Sequence, residues 1–252
     1  MRKTCWIIGA SHGIGEALAK SYYDQGFNLA ISARSIEKLE KIKEEFSSSR
    51  KKPREIFVTK VDVVDVGSLI KARDKIVKNF GKIDLVIFCS ALYQPTSAIN
   101  FDLIIAKQVV EVNLNGFLNL LHVITPQMLK QKGGQIGVIA SVAGYFGLPK
   151  SFAYGASKAA LINLCEGIYP EMLKQGIVIS VINPGFVKTR LTDKNSFKMP
   201  FIISSKRAAE EIVRGLQKKQ FEIHFPKKFT LLLKTLRLLP YRLFFFITKK
   251  IN

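Results

Sequence analysis

Residues 4–15, TCWIIGASHGIG, place a short apolar run directly before a glycine-rich turn. A turn this tight requires residues without a Cβ, and the helix expected to follow starts with backbone amides that have no partner within it. The start of a helix attracts negative charge, so these amides suit the phosphates of a dinucleotide. Strand, turn and helix in this order favour a dinucleotide-binding unit over an ordinary strand-to-helix turn. The residues expected to bind the dinucleotide here are Gly9, Ser11, His12, Gly13, Ile14 and Gly15.

The chain continues as an alternation of strands and helices. Short, almost entirely apolar runs predict strands at residues 4–8, 28–32, 56–61, 84–88, 135–140 and 177–182. Apolar residues at spacings of three and four predict helices at residues 16–25, 36–46, 66–79, 101–130 and 154–174. Strands this apolar are covered on both faces, so we predict an α/β fold, a single doubly wound parallel-sheet (Rossmann) domain with a C-terminal helical tail.

Length and charge limit what this chain does. Its 252 residues, 48% of them apolar, suffice for one core, which we assign to residues 1–225, with residues 226–252 as a tail. The polar stretch 47–53 is interpreted as a turn, not as a linker. A net charge of +20 attracts phosphate-bearing cofactors, acidic lipids or nucleic acid. No recognition motif accompanies the charge, so we expect no nucleic-acid partner.

The cysteines, the histidines and the apolar runs argue against a disulfide-bonded, metal-binding, secreted or membrane-spanning protein. Cys5, Cys89 and Cys165 stand among apolar neighbours, as core residues of a reducing compartment do. The histidines have no metal-ligand spacing, so we expect no metal. The apolar run that Gly9 ends is too short for a signal peptide, and no run reaches the roughly 18 apolar residues of a spanning helix. We therefore expect a cytoplasmic protein.

The end of the second predicted strand indicates which dinucleotide binds. NAD sites place an acid about 20 residues after the glycine turn. Residues 31–35, ISARS, contain no acid. The planar guanidinium of Arg34, helped by Ser11 and His12, suits the 2′-phosphate of NADP(H) instead. The alternative is that Arg34 is one more surface cation of a basic protein.

The end of the third predicted strand offers a contact for the adenine. Asp62, followed by Val63, stands where a carboxylate can accept a hydrogen bond from the adenine amino group. Both Asp62 and Asp65 also suit the role of a helix cap. We therefore include Asp62 and Val63 among the cofactor-binding residues and keep the cap as the alternative for Asp62.

The segment YGASK, residues 154–158, forms a candidate catalytic group with Ser141, which stands just past the fifth predicted strand. Residues four apart share a helix face, so the phenol of Tyr154 and the ammonium of Lys158 point into one cleft. A phenol with a pKa near 10 is a poor acid at neutral pH. A lysine charge roughly 5 Å away, at an effective dielectric constant near 20, stabilises the phenolate by about 3 kcal/mol. We therefore expect a lowered pKa for Tyr154.

A glycine turn of this spacing, an upstream serine and Tyr-x-x-x-Lys together resemble the short-chain dehydrogenase/reductase family, over residues 4–189. The resemblance implies that Tyr154 protonates a carbonyl oxygen as hydride arrives, that Ser141 holds this oxygen, and that Lys158 binds the nicotinamide ribose. It also implies that Asn113 anchors a proton-relay water. The segment NPGFVKT, residues 183–189, is similar to the loop that packs on the nicotinamide, with these contacts: Pro184, Gly185, Val187 and Thr189.

Two of these matches have plainer alternatives, and one position departs from the family. Asn113 also suits a helix-bending polar residue, and residues 183–185 a simple turn, but their joint occurrence favours the functional interpretation. After the fourth strand the family carries Asn-Asn-Ala-Gly, whereas this chain has CSAL at residues 89–92. We expect Ser90 and Ala91 to lie beside the cofactor, with backbone support from elsewhere.

The loops beyond the strand ends, residues 92–99, 142–152 and 191–203, are expected to contact the substrate. Apolar residues in and near them favour an apolar pocket, with ordinary loop packing as the alternative: Phe146, Leu148, Phe152, Phe186, Phe197 and Phe201. We expect a small-molecule carbonyl or alcohol substrate of hydrophobic, lipid-like character.

The tail, residues 226–252, carries seven lysines and arginines and no acid. One helical stripe before Pro240 contains Phe229, Leu232, Leu233, Leu236 and Leu239. Such a stripe suits peripheral contact with an anionic membrane, at its inner face. The competing interpretations are a dimer contact and a lid over the pocket, which would bury the same stripe.

These observations favour an NADP(H)-dependent oxidoreductase that acts on a carbonyl or secondary alcohol. The alternative is a non-catalytic NADP-binding interaction or sensor protein of the same fold. Such a module would not require a matched acid and activator such as Tyr154 and Lys158. We also expect a homo-oligomer, with the helices at residues 101–130 and 154–174 as candidate contacts.

Overall fold

A computed structural model describes residues 2–48, 55–95, 97–149, 151–195, 197 and 199–249. Residues 49–53 of the predicted turn and Lys250 of the tail lie outside the described residues. The described strands are β1 (Thr4–Ile8), β2 (Asn28–Ala33), β3 (Ile56–Lys60), β4 (Leu85–Phe88), β5 (Gly134–Ile139), β6 (Ile177–Pro184), β7 (Val187–Lys188), β8 (Ile203–Ser204) and β9 (Glu222–Phe225). The described helices are α1 (Gly13–Gln25), α2 (Ile36–Ser48), α3 (Val66–Phe80), α4 (Leu103–Val110), α5 (Gly116–Lys130), α6 (Phe152–Lys174), α7 (Ser205–Gln217), α8 (Lys227–Arg237) and α9 (Tyr241–Thr248).

Seven of these strands form one parallel sheet in the order β3-β2-β1-β4-β5-β6-β9. Alternation along β1 sends Cys5 and Ile7 into one apolar layer and Trp6 and Ile8 into the other. The first layer is completed by α1, α2 and α7, and the second by α3, α5 and α6. The predicted doubly wound α/β fold is therefore confirmed, because helices cover both faces of the sheet.

Parallel strands bring their carboxyl ends to one edge of the sheet. The glycine turn follows β1 there, and the loops after β4, β5 and β6 begin at the same edge. Residues far apart in the chain therefore meet in one crevice, as ligands and catalytic groups do in open α/β sheets.

The helix predicted at residues 101–130 is interrupted. The carboxylate of Asp102 accepts hydrogen bonds from the amides of Ile104 (2.7 Å) and Ile105 (3.1 Å), so α4 begins one residue later. A π-helical turn, Glu111–Asn115, then separates α4 from α5 and carries the buried Asn113. Such turns inside helices recur at functional sites.

The two-residue strands β7 and β8 were not predicted, and neither were α7 and the edge strand β9. The edge strand is short, and its polar residues Glu222 and His224 alternate with the buried Ile223 and Phe225, because it lies at the edge of the sheet. It pairs with β6 in parallel, and α7 packs on α1 and β9. The sheet gains its seventh strand from this segment.

The tail is helical and is interrupted at Pro240, as predicted. The predicted apolar stripe is only partly available to a partner, because Phe229 and Leu233 are buried against Val142 and Tyr145 of the domain. Among the residues that the structure describes, no helix combines the length and the apolar content that a membrane span requires.

Candidate functional site

The glycine turn after β1 has the shape of an anion cradle. Gly9 has φ +89°, a conformation that L side chains rarely adopt, and its amide donates to the carbonyl of Ser32 at 2.7 Å. A Cβ on Gly15 would lie 2.2 Å from the carbonyl oxygen of Gly9. The start of α1 therefore packs directly on the turn. Its first residues, Gly13, Ile14 and Gly15, border the crevice, a position that fits the pyrophosphate of a dinucleotide.

Three basic side chains meet beside this turn at His12. Its Nδ1 lies 2.9 Å from the Oγ of Ser11, and its Nε2 lies 3.1 Å from the Nζ of Lys38 and also contacts the guanidinium of Arg190. Partial burial and the two cations lower the pKa of His12, so the ring is neutral while Lys38 and Arg190 supply the charge. Neither cation was predicted, because they approach His12 from α2 and from the loop after β7.

The predicted adenosine contacts lie apart from the main cleft. Arg34 is exposed just past β2, and the carboxylate of Asp62 accepts the amide of Val64 at 3.2 Å, which is a turn contact rather than a cap of α3. The side chain of Val63 is buried in the core, and its carbonyl accepts a hydrogen bond from Asn119 at 3.0 Å. Only the backbone of Val63 is thus available to a ligand.

The other predicted residues surround a cleft of about 140 Å³ at the carboxyl edge of the sheet. The predicted residues that line it are His12, Gly13, Ile14, Gly15, Ala91, Ser141, Tyr154, Lys158, Pro184, Gly185, Val187 and Thr189. Leu191 and Thr192, from the predicted substrate loop 191–203, also line it, together with residues that were not predicted: Cys89, Ile139, Ala140 and Arg190. Gly9, Ser11, Ser90 and Asn113 do not line this cleft, and Gly9 packs against the backbone of Ser90.

Tyr154 is held between Ser141 and an aromatic neighbour. The hydroxyl of Ser141 lies beside the phenol in the same cleft, and the ring of Tyr93 packs edge-on against Tyr154 with the centroids 4.8 Å apart. Burial raises the pKa of Tyr154 to about 12, and the Ser141 hydroxyl opposes this rise only in part. The expectation of a lowered pKa was wrong for this arrangement, because the cost of burying the phenolate dominates.

Lys158 lies one helical turn further on and is almost completely buried. Its Nζ donates to the carbonyl of Ile139 at 2.8 Å and lies 5.5 Å from the centroid of the Tyr154 ring. The predicted shared helix face is therefore present. Burial lowers the pKa of Lys158 to about 7, so the charge expected to act on Tyr154 is itself weakened near neutral pH.

The buried Lys158 is expected to make the free energy of unfolding depend on pH. Its pKa is about 7 when folded against 10.5 when solvated, so the unfolded chain binds more protons between these values and stability rises with pH. Lys158→Met removes this contribution. In urea denaturation, the free energy of unfolding of the wild type should rise relative to that of the variant by about 3 kcal/mol between pH 7 and pH 9.5. A difference that stays constant with pH would contradict this assignment.

Residues 89–92, CSAL, lack the asparagines that the family carries after the fourth strand. Asn113 supports the backbone of this loop instead. Its Oδ1 accepts the amide of Leu92 at 2.7 Å, and its Nδ2 donates to the Leu92 carbonyl and to Ser157 Oγ, both at 3.0 Å. The loop after β4 is thus tied to the π-helical turn and to α6. The structure shows Asn113 in this positioning contact, and its implied role with a relay water stays a prediction.

Two substrate-side loops are joined by hydrogen bonds that were not predicted. The hydroxyl of Tyr93 donates to Asn195 Oδ1 at 2.6 Å, and Lys194 donates to the carbonyl of Tyr93 at 2.8 Å. Their signal in sequence is weak, because residues about a hundred positions apart meet only in the fold. Tyr93 thereby contacts both the opposite loop and Tyr154.

A larger cavity, of about 460 Å³, lies between α6, β9 and α8. In it, Glu222 accepts hydrogen bonds from Tyr145 (2.8 Å) and Asn183 (3.0 Å) and forms an ion pair with Lys234. Glu222 and Lys234 therefore neutralise each other. None of the four predicted catalytic residues lines the cavity. We therefore place the site in the smaller cleft.

The cysteine thiols lie in the core and at the border of the cleft. Cys5 and Cys165 are buried core residues, as predicted, and Cys89 borders the cleft as a free thiol. Burial raises the pKa of Cys89 to about 12, which keeps this thiol protonated. Within the described ranges, no group of three or more His, Cys, Asp and Glu side chains is placed to hold a metal ion.

Known proteins are similar to this chain in sequence and in fold. A family model described as short chain dehydrogenase matches residues 3–199. An uncharacterized oxidoreductase of Myxococcus xanthus is 30% identical over 244 residues, which is 96% of this chain and 94% of that protein. An alcohol dehydrogenase of Thermococcus sibiricus, complexed with 5-hydroxy-NADP, has TM-score 0.80 and 27% identity over 89% of this chain and 96% of that chain. A short chain dehydrogenase/reductase of Burkholderia phymatum with NAD has TM-score 0.84 and 21% identity over 92% of each chain, a likeness of fold alone.

Proposed function

This chain belongs to the short-chain dehydrogenase/reductase family and is an oxidoreductase of that family, and from this premise we propose that it uses NADP(H) to interconvert a carbonyl and a secondary alcohol in a hydrophobic small molecule. The observation that carries the proposal is the partly buried phenol of Tyr154, which lines the same cleft as Ser141, Lys158 and the glycine turn. The sensor alternative does not require this group.

The chemistry that we propose for the chain is proton transfer at the Tyr154 hydroxyl. Because burial raises its pKa to about 12, this phenol keeps its proton at neutral pH. It would donate the proton to the alkoxide oxygen that develops as the carbonyl is reduced, because an alkoxide is a stronger base than a phenolate. Ser141 would hold the same oxygen through its hydroxyl. A bound nicotinamide would supply or accept the hydride.

The cofactor would lie along the carboxyl edge of the sheet. The amides at the start of α1 would bind the pyrophosphate, Lys158 the nicotinamide ribose, and residues 184–189 the nicotinamide. Arg34 and Lys38 would hold the 2′-phosphate, a proposal that the basic cluster at His12 and the absence of an acid at residues 31–35 support. The NADP analogue bound by the Thermococcus enzyme agrees with this choice.

Removing this charge is expected to change cofactor preference. In Arg34→Ala/Lys38→Ala, kcat/KM with NADPH should fall roughly 10- to 100-fold, the loss expected for charge-assisted contacts, while the value with NADH stays unchanged. Steady-state kinetics with both cofactors measure the ratio. Lys41→Ala, an exposed lysine on the same helix, is the matched control. Equal losses with NADPH and NADH would remove both residues from the proposed 2′-phosphate site.

The substrate side of the cleft supports a hydrophobic compound. Phe186 packs against Phe197 and Phe229, and Phe201 against Phe229, with ring centroids 5.7 to 5.8 Å apart. The rings of Phe197 and Phe201 are about half exposed. This aromatic group lies next to Gly185, which lines the cleft. We therefore propose an apolar, lipid-like carbonyl or alcohol as the substrate class.

The experiment that tests the proposal is an NADPH-oxidation screen across steroid, fatty-ketone, sugar and quinone carbonyls, with NADPH binding measured in parallel. Turnover of an apolar carbonyl is the expected result. Tight NADPH binding without turnover of any of these carbonyls would support the sensor alternative instead.

Assembly and location stay proposals. Leu118 and Leu129 on α5 and Leu173 on α6 are exposed apolar residues, and we propose these helices as the contact of a homo-oligomer. The free cysteines suit the proposed cytoplasmic location, where thiols stay reduced.

A further inference from the structure

The tail helices each place one face on the domain. On α8, Phe229, Thr230 and Leu233 are buried, and on α9 Phe244 and Thr248 are buried. The ring of Phe244 packs edge-on against Phe146 of the domain, with centroids 5.2 Å apart. These contacts fix the orientation of both helices, so their opposite sides point away from the protein.

Two of the tail's cations hold α8 to the domain. Lys234 forms an ion pair with Glu222 of β9, and the guanidinium of Arg237 donates to the carbonyl of Tyr145. The hydroxyl of Tyr145 in turn donates to Glu222 at 2.8 Å. Lys234 and Arg237 are therefore engaged within the protein, and the remaining tail cations are the ones available to an outside partner.

The outward side of α8 and α9 is apolar and basic, and we term it the tail face. Its large apolar residues are 52% to 84% exposed: Leu231, Leu232, Leu238, Tyr241, Leu243, Phe245 and Phe246. Its exposed cations are Lys227, Lys228, Arg242 and Lys249. Residues 226–252 contain no aspartate or glutamate. Large apolar side chains exposed in this number on two consecutive helices indicate an interaction surface.

Charge decides which partner fits. A second copy docked symmetrically would bring the four cations of one tail face against the same four cations of the other. Because each chain already has a net charge of +20, the two copies would repel each other. An anionic bilayer neutralises these cations at its headgroups and accepts leucine, phenylalanine and tyrosine side chains at the acyl boundary. We propose that the tail face lies on the surface of an anionic lipid bilayer.

This surface differs from the stripe that the sequence indicates. Phe229 and Leu233 belong to that stripe but pack inward, whereas Leu232 and residues from α9 point outward. Phe229 also contacts the aromatic residues Phe186 and Phe201 beside the cleft. A bilayer under the tail face would thus lie near the substrate-side loops, although docking itself does not depend on the proposed reaction.

Vesicle flotation of the full chain tests the proposal without an activity assay. The protein should float with vesicles of phosphatidylglycerol and phosphatidylcholine and stay at the bottom with phosphatidylcholine alone. Leu238→Glu/Leu243→Glu should lower the floated fraction at least tenfold, because it places two anions in the tail face. Leu103→Glu/Ile104→Glu makes the same charge change at exposed positions of α4 and should float like the wild type.

Thermal unfolding of each variant shows whether it is folded, and the exposure of all four positions predicts that it is. Lys228→Gln/Arg242→Gln gives a second, milder test and should reduce flotation while leaving Tm unchanged. A wild-type chain that fails to float with anionic vesicles would overturn the proposal, and so would equal flotation of the two glutamate variants. A dimer that the tail variant alone abolishes would assign the face to a second copy.

Discussion

Replacing Tyr154 by phenylalanine is expected to lower kcat by about 10²- to 10⁴-fold, the range that a positioned general acid contributes. The ring would stay packed against Tyr93, and only the hydroxyl beside Ser141 would be lost. NADPH binding should be unchanged, because Lys158 donates to the Ile139 carbonyl and not to the phenol. Turnover of the substrate found by screening and a fluorescence titration of NADPH measure the two quantities.

Tyr169→Phe is the matched control for Tyr154→Phe. Tyr169 lies on the same helix and packs against Phe221, away from the cleft, so loss of its hydroxyl should leave kcat unchanged. Retained activity in Tyr154→Phe would remove Tyr154 from the proposed role. Loss of NADPH binding together with activity would instead mean that the phenol acts in cofactor binding.

Gly15→Ala is expected to weaken NADPH binding by more than tenfold and to destabilise the fold by about 1–3 kcal/mol, the usual cost of forcing a carbon into a packed site. The added Cβ would lie 2.2 Å from the carbonyl oxygen of Gly9, a backbone atom that cannot rotate away. Either the glycine turn or the start of α1 must move, and both form the proposed pyrophosphate site. NADPH titration and urea denaturation measure the two effects.

Gly167→Ala controls for the glycine-to-alanine change itself. Gly167 lies within α6, and a Cβ there would meet nothing within 4 Å. Alanine should stabilise this helix by roughly 0.5–1 kcal/mol and leave NADPH binding unchanged. If Gly15→Ala behaved like Gly167→Ala, the turn would be more pliable than its contacts indicate, and its proposed role as a rigid cradle would be wrong.

Local patterns predicted the elements that carry a strong signal. The apolar run at β1 and the glycines after it predicted strand, turn and helix, because a fully buried strand and a turn without a Cβ each have few compatible residues. Prediction failed where the signal is weak or depends on the rest of the fold. The edge strand β9 alternates polar and apolar residues over only four positions, and the interruption of the helix near Asn113 depends on contacts with Leu92 and Ser157.

The part of the site that depends on local spacing was predicted, and the part that depends on the whole fold was not. Tyr154 and Lys158 are four residues apart, so helical periodicity alone places them on one face. Lys38 and Arg190 meet at His12, and Tyr93 meets Asn195, only because strands and loops distant in the chain end at one edge of the sheet. No local pattern encodes such a meeting.

The sequence by itself determined the alternation of buried strands and helices, the glycine turn and the spacing of the phenol and the ammonium, because each depends on residues a few positions apart. Only the tertiary structure decided the direction of the Tyr154 pKa and the side of the tail that points outward. Both depend on burial, which the whole fold sets: surrounding atoms exclude water from the phenol, and the domain covers one face of α8 and α9 while leaving the other exposed.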